Sequence, residues 1–200
     1  MTSRSIQIGD VELTAPVLTA SGTAGYGAEF ESYFRLSDLG AVVTKSVAHF
    51  EWPGNPAPRL HPTKGGMLNA VGLQGAGVKS FVEHDLPRLK EANAKVVASI
   101  WGHSVDDYLQ AAKVLFDVRD QIAAIEINLS CPNLGGNHVM FSHDAKLSAQ
   151  IVELCSASSL PLWAKLSPNT SELVEIARAD DSAGAQAVTL VNTAIGMALD

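Results

Sequence analysis

The 200-residue sequence predicts an α/β fold: a parallel sheet closed as a (β/α)8 TIM barrel, ending after about six strands, with a small N-terminal β-hairpin in front. Three observations predict it. Short apolar runs alternate with helical runs along the chain. The strand-like runs are apolar throughout, as in sheets covered on both faces. Nearly every such run ends in polar residues: Ser21-Gly22-Thr23, Lys45-Ser46, Asn128, Ser130, Lys165 and Asn192-Thr193. An open doubly wound sheet is the competing architecture. It would gather its polar groups at one switch point, and no Gly-x-Gly-x-x-Gly follows the first strand. Polar exits on many strands suit a barrel, whose active site is built on the C-terminal face.

The elements follow in order. Ile6 to Leu13 reads as the hairpin, turning at Gly9-Asp10. Val17 to Ala20 is a strand and Glu29 to Leu39 a helix. Ala41 to Thr44 is a second strand, followed by a Gly- and Pro-rich excursion from Ala48 to about Gly77. Phe81 to Ala92 is a helix and Lys95 to Ile100 a third strand. Ser104 with Asp107 three residues on forms a capping pattern that starts a helix through Phe116 to about Arg119. Ala124 to Leu129 is a fourth strand and Ala145 to Ser156 a helix. Leu160 to Leu166 is a fifth strand, weakened by Pro161. Glu172 to Ala179 is a helix and Ala187 to Val191 a sixth strand. A barrel needs eight strands, so a single domain over residues 1–200, cut short of its natural end, is the expectation.

Composition narrows the function. Apolar residues make up 46% and charged residues 18%, and the net charge is −7 with no basic cluster. That argues against nucleic acid or an anionic membrane surface as partner. No stretch is long and apolar enough for a transmembrane helix, and Met1-Thr2-Ser3-Arg4-Ser5 lacks a signal-peptide core, so a cytoplasmic location is expected. The two cysteines, Cys131 and Cys155, have no Cys-x-x-Cys spacing, and the six histidines no metal spacing, so no metal site is expected. Cys155 lies in the apolar stripe of a helix and reads as core.

Cys131 is different. It lies in Asn128-Leu129-Ser130-Cys131-Pro132-Asn133, where an apolar strand stops. Cysteine is commonly just a buried small residue. At a strand exit flanked by two asparagines it is a candidate general base, through a thiolate accessible near neutral pH. Lys45 and Lys165 close two other strands and suggest an anionic ligand or a reduced cofactor, although a single such lysine more often reaches to solvent. The run Gly65 to Gly75 is Gly-rich without a Walker lysine. In it Leu68, Val71 and Leu73 would be anchors and Asn69 an exposed amide. Amides that both donate and accept suit a flat heterocycle of alternating C=O and N–H groups. The residues alone thus point to a barrel enzyme with a polar planar substrate and a redox cofactor.

These stretches carry a resemblance. Ala20-Ser21-Gly22-Thr23, Thr44-Lys45-Ser46, Gly54-Asn55-Pro56-x-Pro58-Arg59 and Met67-Leu68-Asn69-Ala70-x-Gly72-Leu73-Gln74 come first. Asn128-x-Ser130-Cys131-Pro132-Asn133, Lys165-Leu166-Ser167-Pro168-Asn169 and Asn192-Thr193-x2-Gly196-Met197-Ala198 follow in the same order. The chain resembles the class 1 dihydroorotate dehydrogenases, and around Asn69 and Asn192 it is most similar to class 1B. The resemblance implies FMN across the barrel mouth, near Ser21, Lys45, Ser46, Ser99, Asn128, Lys165 and Val191. It implies dihydroorotate stacked on the flavin, held by Lys45, Asn69, Ala70, Val71, Gly72, Leu73, Asn128, Asn133, Asn192 and Thr193. Cys131 would take a proton from C5 while C6 gives a hydride to flavin N5, yielding orotate for pyrimidine (UMP) synthesis. It further implies a homodimer or heterotetramer, with a separate electron-transfer subunit carrying FAD and an iron–sulfur cluster. The chain departs from the family pattern at Ser99, where an asparagine is usual, and at Trp101, where a small residue is usual. The competing expectations are a non-catalytic barrel fragment and a related dihydropyrimidine dehydrogenase.

Overall fold

The computed structural model of the protein describes residues 5–131 and 140–198. Two strands, β1 (Ile6–Ile8) and β2 (Val11–Leu13), pair antiparallel as the expected hairpin. The main sheet is parallel: β3 (Val42–Val43), β6 (Val96–Ile100), β7 (Ala124–Asn128), β8 (Leu162–Lys165) and β9 (Ala187–Thr189), hydrogen-bonded in that order. All residues of β6, β7 and β8 are buried, which is why these strands read as unbroken apolar runs. The parallel α/β class is met, with five strands in the main sheet among the described residues.

The first expected strand, Val17 to Ala20, is reduced to a single parallel bridge between Leu18 and Ala41. The cause is local. The Thr19 hydroxyl accepts from the Val43 amide at 2.8 Å and donates to the Val43 carbonyl at 3.0 Å, so a side chain takes the place of the ladder. The expected helix from Glu29 to Leu39 is also corrected, to two 3-10 turns, Ala28–Ser32 and Leu36–Asp38. Here carboxylates compete with the helical ladder: Glu29 accepts from the Gly27 amide at 3.0 Å and Glu31 from the Leu36 amide at 3.1 Å. Within the excursion lies an unforeseen antiparallel hairpin, β4 (Leu60–Thr63) and β5 (Gly66–Asn69).

The helical run after it begins four residues earlier than expected, as α1 (Gly77–Ser80). It continues through a π turn (Phe81–Asp85) into α2 (Leu86–Glu91). Pro87 has no N–H for the ladder, and the widened turn ends two residues before it. Helix α3 (Val105–Phe116) starts on the predicted capping box: Ser104 Oγ accepts from the Asp107 amide at 3.3 Å, and Asp107 accepts from the Ser104 amide at 2.9 Å. Helices α4 (Ala145–Cys155) and α5 (Leu173–Ser182) complete the cover. No helix among the described residues is long and apolar enough to cross a membrane.

Period-two alternation divides the sheet into two faces. Ile125 and Ile127 look into the main core, with Tyr108, Leu115, Ile151, Cys155 and Ile176 from the helices. Cys155 is fully buried, as a core residue should be. The other face is apolar where the strands begin: Val43, Val97, Ala124 and Trp163 pack with Val11 and Leu13 of the hairpin. On the same face, one and two steps along, stand Ser99, Glu126, Asn128, Lys165 and Thr189. The hairpin closes one end of this face and a polar layer occupies the other.

The α4–α5 contact contains a buried acid. Asp180 is wholly buried; its Oδ1 accepts from Ser148 Oγ at 2.5 Å while Oδ2 has no partner among the described residues. Burial pushes its pKa up from 3.8 to about 6, against the opposing pull of the Ser148 hydroxyl. A raised carboxyl pKa means that the folded state holds this proton more tightly than the unfolded chain. Its stabilisation is therefore complete below about pH 4 and is lost as pH rises through about 6, a change of roughly 3 kcal/mol. Asp180→Asn should remove this step. Denaturant melts of wild type and variant should diverge by about that amount between pH 4 and 7, and parallel curves would refute the assignment.

Candidate active site

The polar layer is one hydrogen-bonded network. Ser21 Oγ lies 3.0 Å from Ser46 Oγ, which lies 2.8 Å from Ser99 Oγ and accepts from Asn128 Nδ2 at 3.2 Å. Ser99 donates to Glu126 Oε1 at 3.1 Å, and Thr189 donates to Glu126 Oε2 at 3.0 Å. Lys165 Nζ stands 3.8 Å from Glu126 Oε1. Asn192 Nδ2 donates to Asn128 Oδ1 at 2.8 Å, and the Thr193 amide donates to Asn192 Oδ1 at 2.7 Å. The parallel register explains the convergence. Ser99 is paired with Glu126, Asn128 with Lys165, and Lys165 with Thr189, so side chains distant in sequence share one face at the same height.

The structure thus joins Ser21, Ser46, Ser99, Asn128, Lys165, Asn192 and Thr193 among the residues expected at the site. Val191 follows β9 and is exposed. Asn133 lies outside the described residues. Glu126 and Thr189 were missed. A lone carboxylate in Ala124-Ile125-Glu126-Ile127 was the available signal, since a buried acid in an apolar strand requires a partner. That partner is Lys165. It is buried and ion-paired, and the expectation of two similar cations is corrected to one paired lysine and one without an ion pair among the described residues, Lys45.

Lys45 is half-buried, and its pKa is lowered, first by burial and then by the neighbouring Arg59 guanidinium. Two cations thus stand near one another beside the exit of β3, each raising the cost of the other's charge. Arg59 in turn donates to the Asn55 carbonyl at 3.0 Å and to Gln74 Oε1. These bonds tie Arg59 to the loop after β5. There Asn69 is exposed as expected, and Leu73 packs against the main core.

Cys131 departs from expectation in its state. It follows the end of β7, but it is wholly buried, and burial pushes its thiol up to about 12, while contacts with the Tyr108 hydroxyl and the Gly102 backbone pull it partway down. Its Sγ lies 3.6 Å from the Asn128 carbonyl, which also accepts from Tyr108 Oη at 2.8 Å. Burial thus moves the thiol pKa away from the thiolate expected near neutral pH. Near it the Tyr108 hydroxyl donates to the Asn128 carbonyl, and the Tyr108 and Phe141 rings meet edge to face at 5.5 Å.

A sequence profile described as Dihydroorotate dehydrogenase matches residues 4–200. The chain belongs to the dihydroorotate dehydrogenase family. It is 43% identical over 197 residues to a Trichlorobacter lovleyi protein named dihydroorotate dehydrogenase B (NAD(+)), catalytic subunit, covering 98% of this chain and 64% of that protein. A protein of the same name from Alkaliphilus metalliredigens is 43% identical over 196 residues, again 98% of this chain and 64% of the relative. Another, from Bacteroides thetaiotaomicron, is 40% identical over 201 residues, 100% of this chain and 66% of the relative. The chain therefore spans about two thirds of the length of the curated relatives it matches. The resemblance to class 1B is met.

Proposed function

We propose that this chain forms most of the catalytic barrel, a (β/α)8 domain, of a cytoplasmic FMN-dependent dihydroorotate dehydrogenase of class 1B. The observation that carries the reading is the network from Ser21 through Ser46, Ser99, Asn128 and Asn192, beside the Glu126–Lys165 pair, on one sheet face at the strand exits. Such a site is what a barrel's C-terminal face provides.

The donor set fits the cofactor. Hydroxyls at 21, 46 and 99, the Asn128 amide and the Lys165 ammonium offer donors and acceptors to a flat heterocycle. A cation held near the flavin ring favours its reduced, anionic form. Val191 would add apolar contact at the rim. FMN, when bound, supplies the acceptor for the hydride that leaves C6 of dihydroorotate. The protein binds, orients and deprotonates. Lys45, with Arg59 beside it, meets the substrate carboxylate. Asn69 to Leu73, Asn128, Asn133, Asn192 and Thr193 hold the ring amides. Cys131 takes the proton from C5. A partner subunit carrying FAD and an iron–sulfur cluster would link this site to NAD, in a heterotetramer or about a homodimer of this chain.

The test is anaerobic addition of dihydroorotate to the full-length protein, followed by loss of the flavin absorbance. Bleaching by dihydroorotate and not by dihydrouracil is expected, with reoxidation by NAD only when the partner subunit is present. A protein that binds FMN but is not bleached by dihydroorotate would overturn the reading.

A further inference from the structure

Trp52 lies outside the network described above, yet it touches the loop that would hold the substrate. Its indole Nε1 donates to the Gly72 carbonyl at 3.0 Å. Its backbone pairs with Gly75 in both directions at 2.8 Å. Glycines stand where the two segments meet most closely. A Cβ on Gly54 would lie 2.5 Å from the Val71 carbonyl oxygen, and one on Gly72 would lie 2.8 Å from Asn55. Two further bonds fasten the pair: the Asn55 amide donates to the Val71 carbonyl at 3.0 Å, and Asn55 Nδ2 donates to the Ala70 carbonyl at 2.8 Å.

Behind Trp52 is a rigid aromatic wall. Its ring centroid lies 4.8 Å from that of His103 and 6.3 Å from that of Trp101, both edge to face, and Phe50 stacks on His103 at 5.7 Å. Trp101 is wholly buried, and its amide donates to the Val47 carbonyl at 3.1 Å. Both ring nitrogens of His103 are buried without a hydrogen-bond partner among the described residues, so this imidazole serves as an apolar plate. The wall stands at the exit of β6, two residues beyond Ser99. It references the loop to the same strand ends that carry the polar network. Leu73, at φ 60°, holds a left-handed conformation that a leucine adopts only when its surroundings impose it.

We infer that Trp52 is a positioning residue: wedged against Trp101 and His103, it holds the Gly72 carbonyl and so fixes the Asn69–Leu73 loop over the site. The inference rests on the proposed function in one respect only, namely that this loop holds dihydroorotate. It accounts for Trp101, a large residue where the family pattern has a small one, as the plate on which Trp52 rests.

Trp52→Phe keeps an aromatic ring against the wall, with a smaller face, and removes the N–H. In the full-length, flavin-loaded enzyme it should raise the KM for dihydroorotate about fivefold, the value of one net hydrogen bond, with kcat changed less than about twofold. Amide hydrogen exchange at Val71 and Gly75 should quicken about fivefold in the same variant. Trp101→Phe, which keeps the donor but shrinks the plate, should move both readouts in the same direction. Unchanged exchange would overturn the brace. Faster exchange with an unchanged KM, or a lower kcat with an unchanged KM, would overturn the positioning role. If the wild-type enzyme is not reduced by dihydroorotate, the proposed function fails, while the exchange experiment still decides whether Trp52 holds the loop.

Discussion

Cys131→Ala is expected to slow flavin reduction by dihydroorotate by about 10²–10⁴-fold, the usual contribution of a positioned general base. The substitution removes the thiol that follows β7 and leaves Asn128 and Tyr108 to hold each other, so FMN binding should persist. The pH dependence follows from burial. The thiol is pushed up to about 12, so it is protonated at neutral pH and the fraction able to act as a base grows by about tenfold per pH unit below that value. Single-turnover reduction by the wild type should therefore rise steadily with pH, and the rise should vanish in Cys131→Ala. A variant that retains the wild-type rate and slope would show that another group takes the C5 proton. A wild-type rate that is flat from about pH 6 would show that substrate binding opens the pocket and lowers the thiol pKa.

The second large effect is structural. Glu126→Ala should destabilise the fold by about 3–5 kcal/mol, because it leaves the Lys165 ammonium buried without its counter-charge. Lys165 and Glu126 side chains are only 7% and 3% exposed, and the carboxylate also accepts from Ser99 and Thr189. Glu126→Gln retains an acceptor for one of the two hydroxyls but not the charge, and should fall between Ala and wild type. Denaturant melts of the full-length protein measure the difference. A loss for Glu126→Ala within about 0.5 kcal/mol of zero, the range of an ordinary surface change, would mean that water reaches Lys165 and that the pair does not hold the layer together.

Much of this arrangement was legible before folding. The unbroken apolar runs, the capping box at Ser104 and the polar residues at strand exits are local signals, each readable within a few residues. They sufficed for the parallel α/β class and for most of the network. The misses share a cause. Thr19 replaced a strand with side-chain bonds, and Glu29 and Glu31 took backbone amides where a helix was expected, because polar side chains compete with the backbone ladder in ways that periodicity does not register. Trp52 was passed over because it sits in a Gly- and Pro-rich stretch with no pattern of its own.

The sequence by itself determined which residues leave the strands as polar groups, and it carried the ordered motifs of the dihydroorotate dehydrogenase family. Only the tertiary structure decided what those groups do to one another. Asn128 and Ser46 lie 82 residues apart, yet share a bond. Lys165 is ion-paired with Glu126, and Cys131 is wholly buried. Strand identity depends on neighbours along the chain, whereas charge pairing and thiol ionisation depend on burial, which parallel register sets between segments that are remote in sequence.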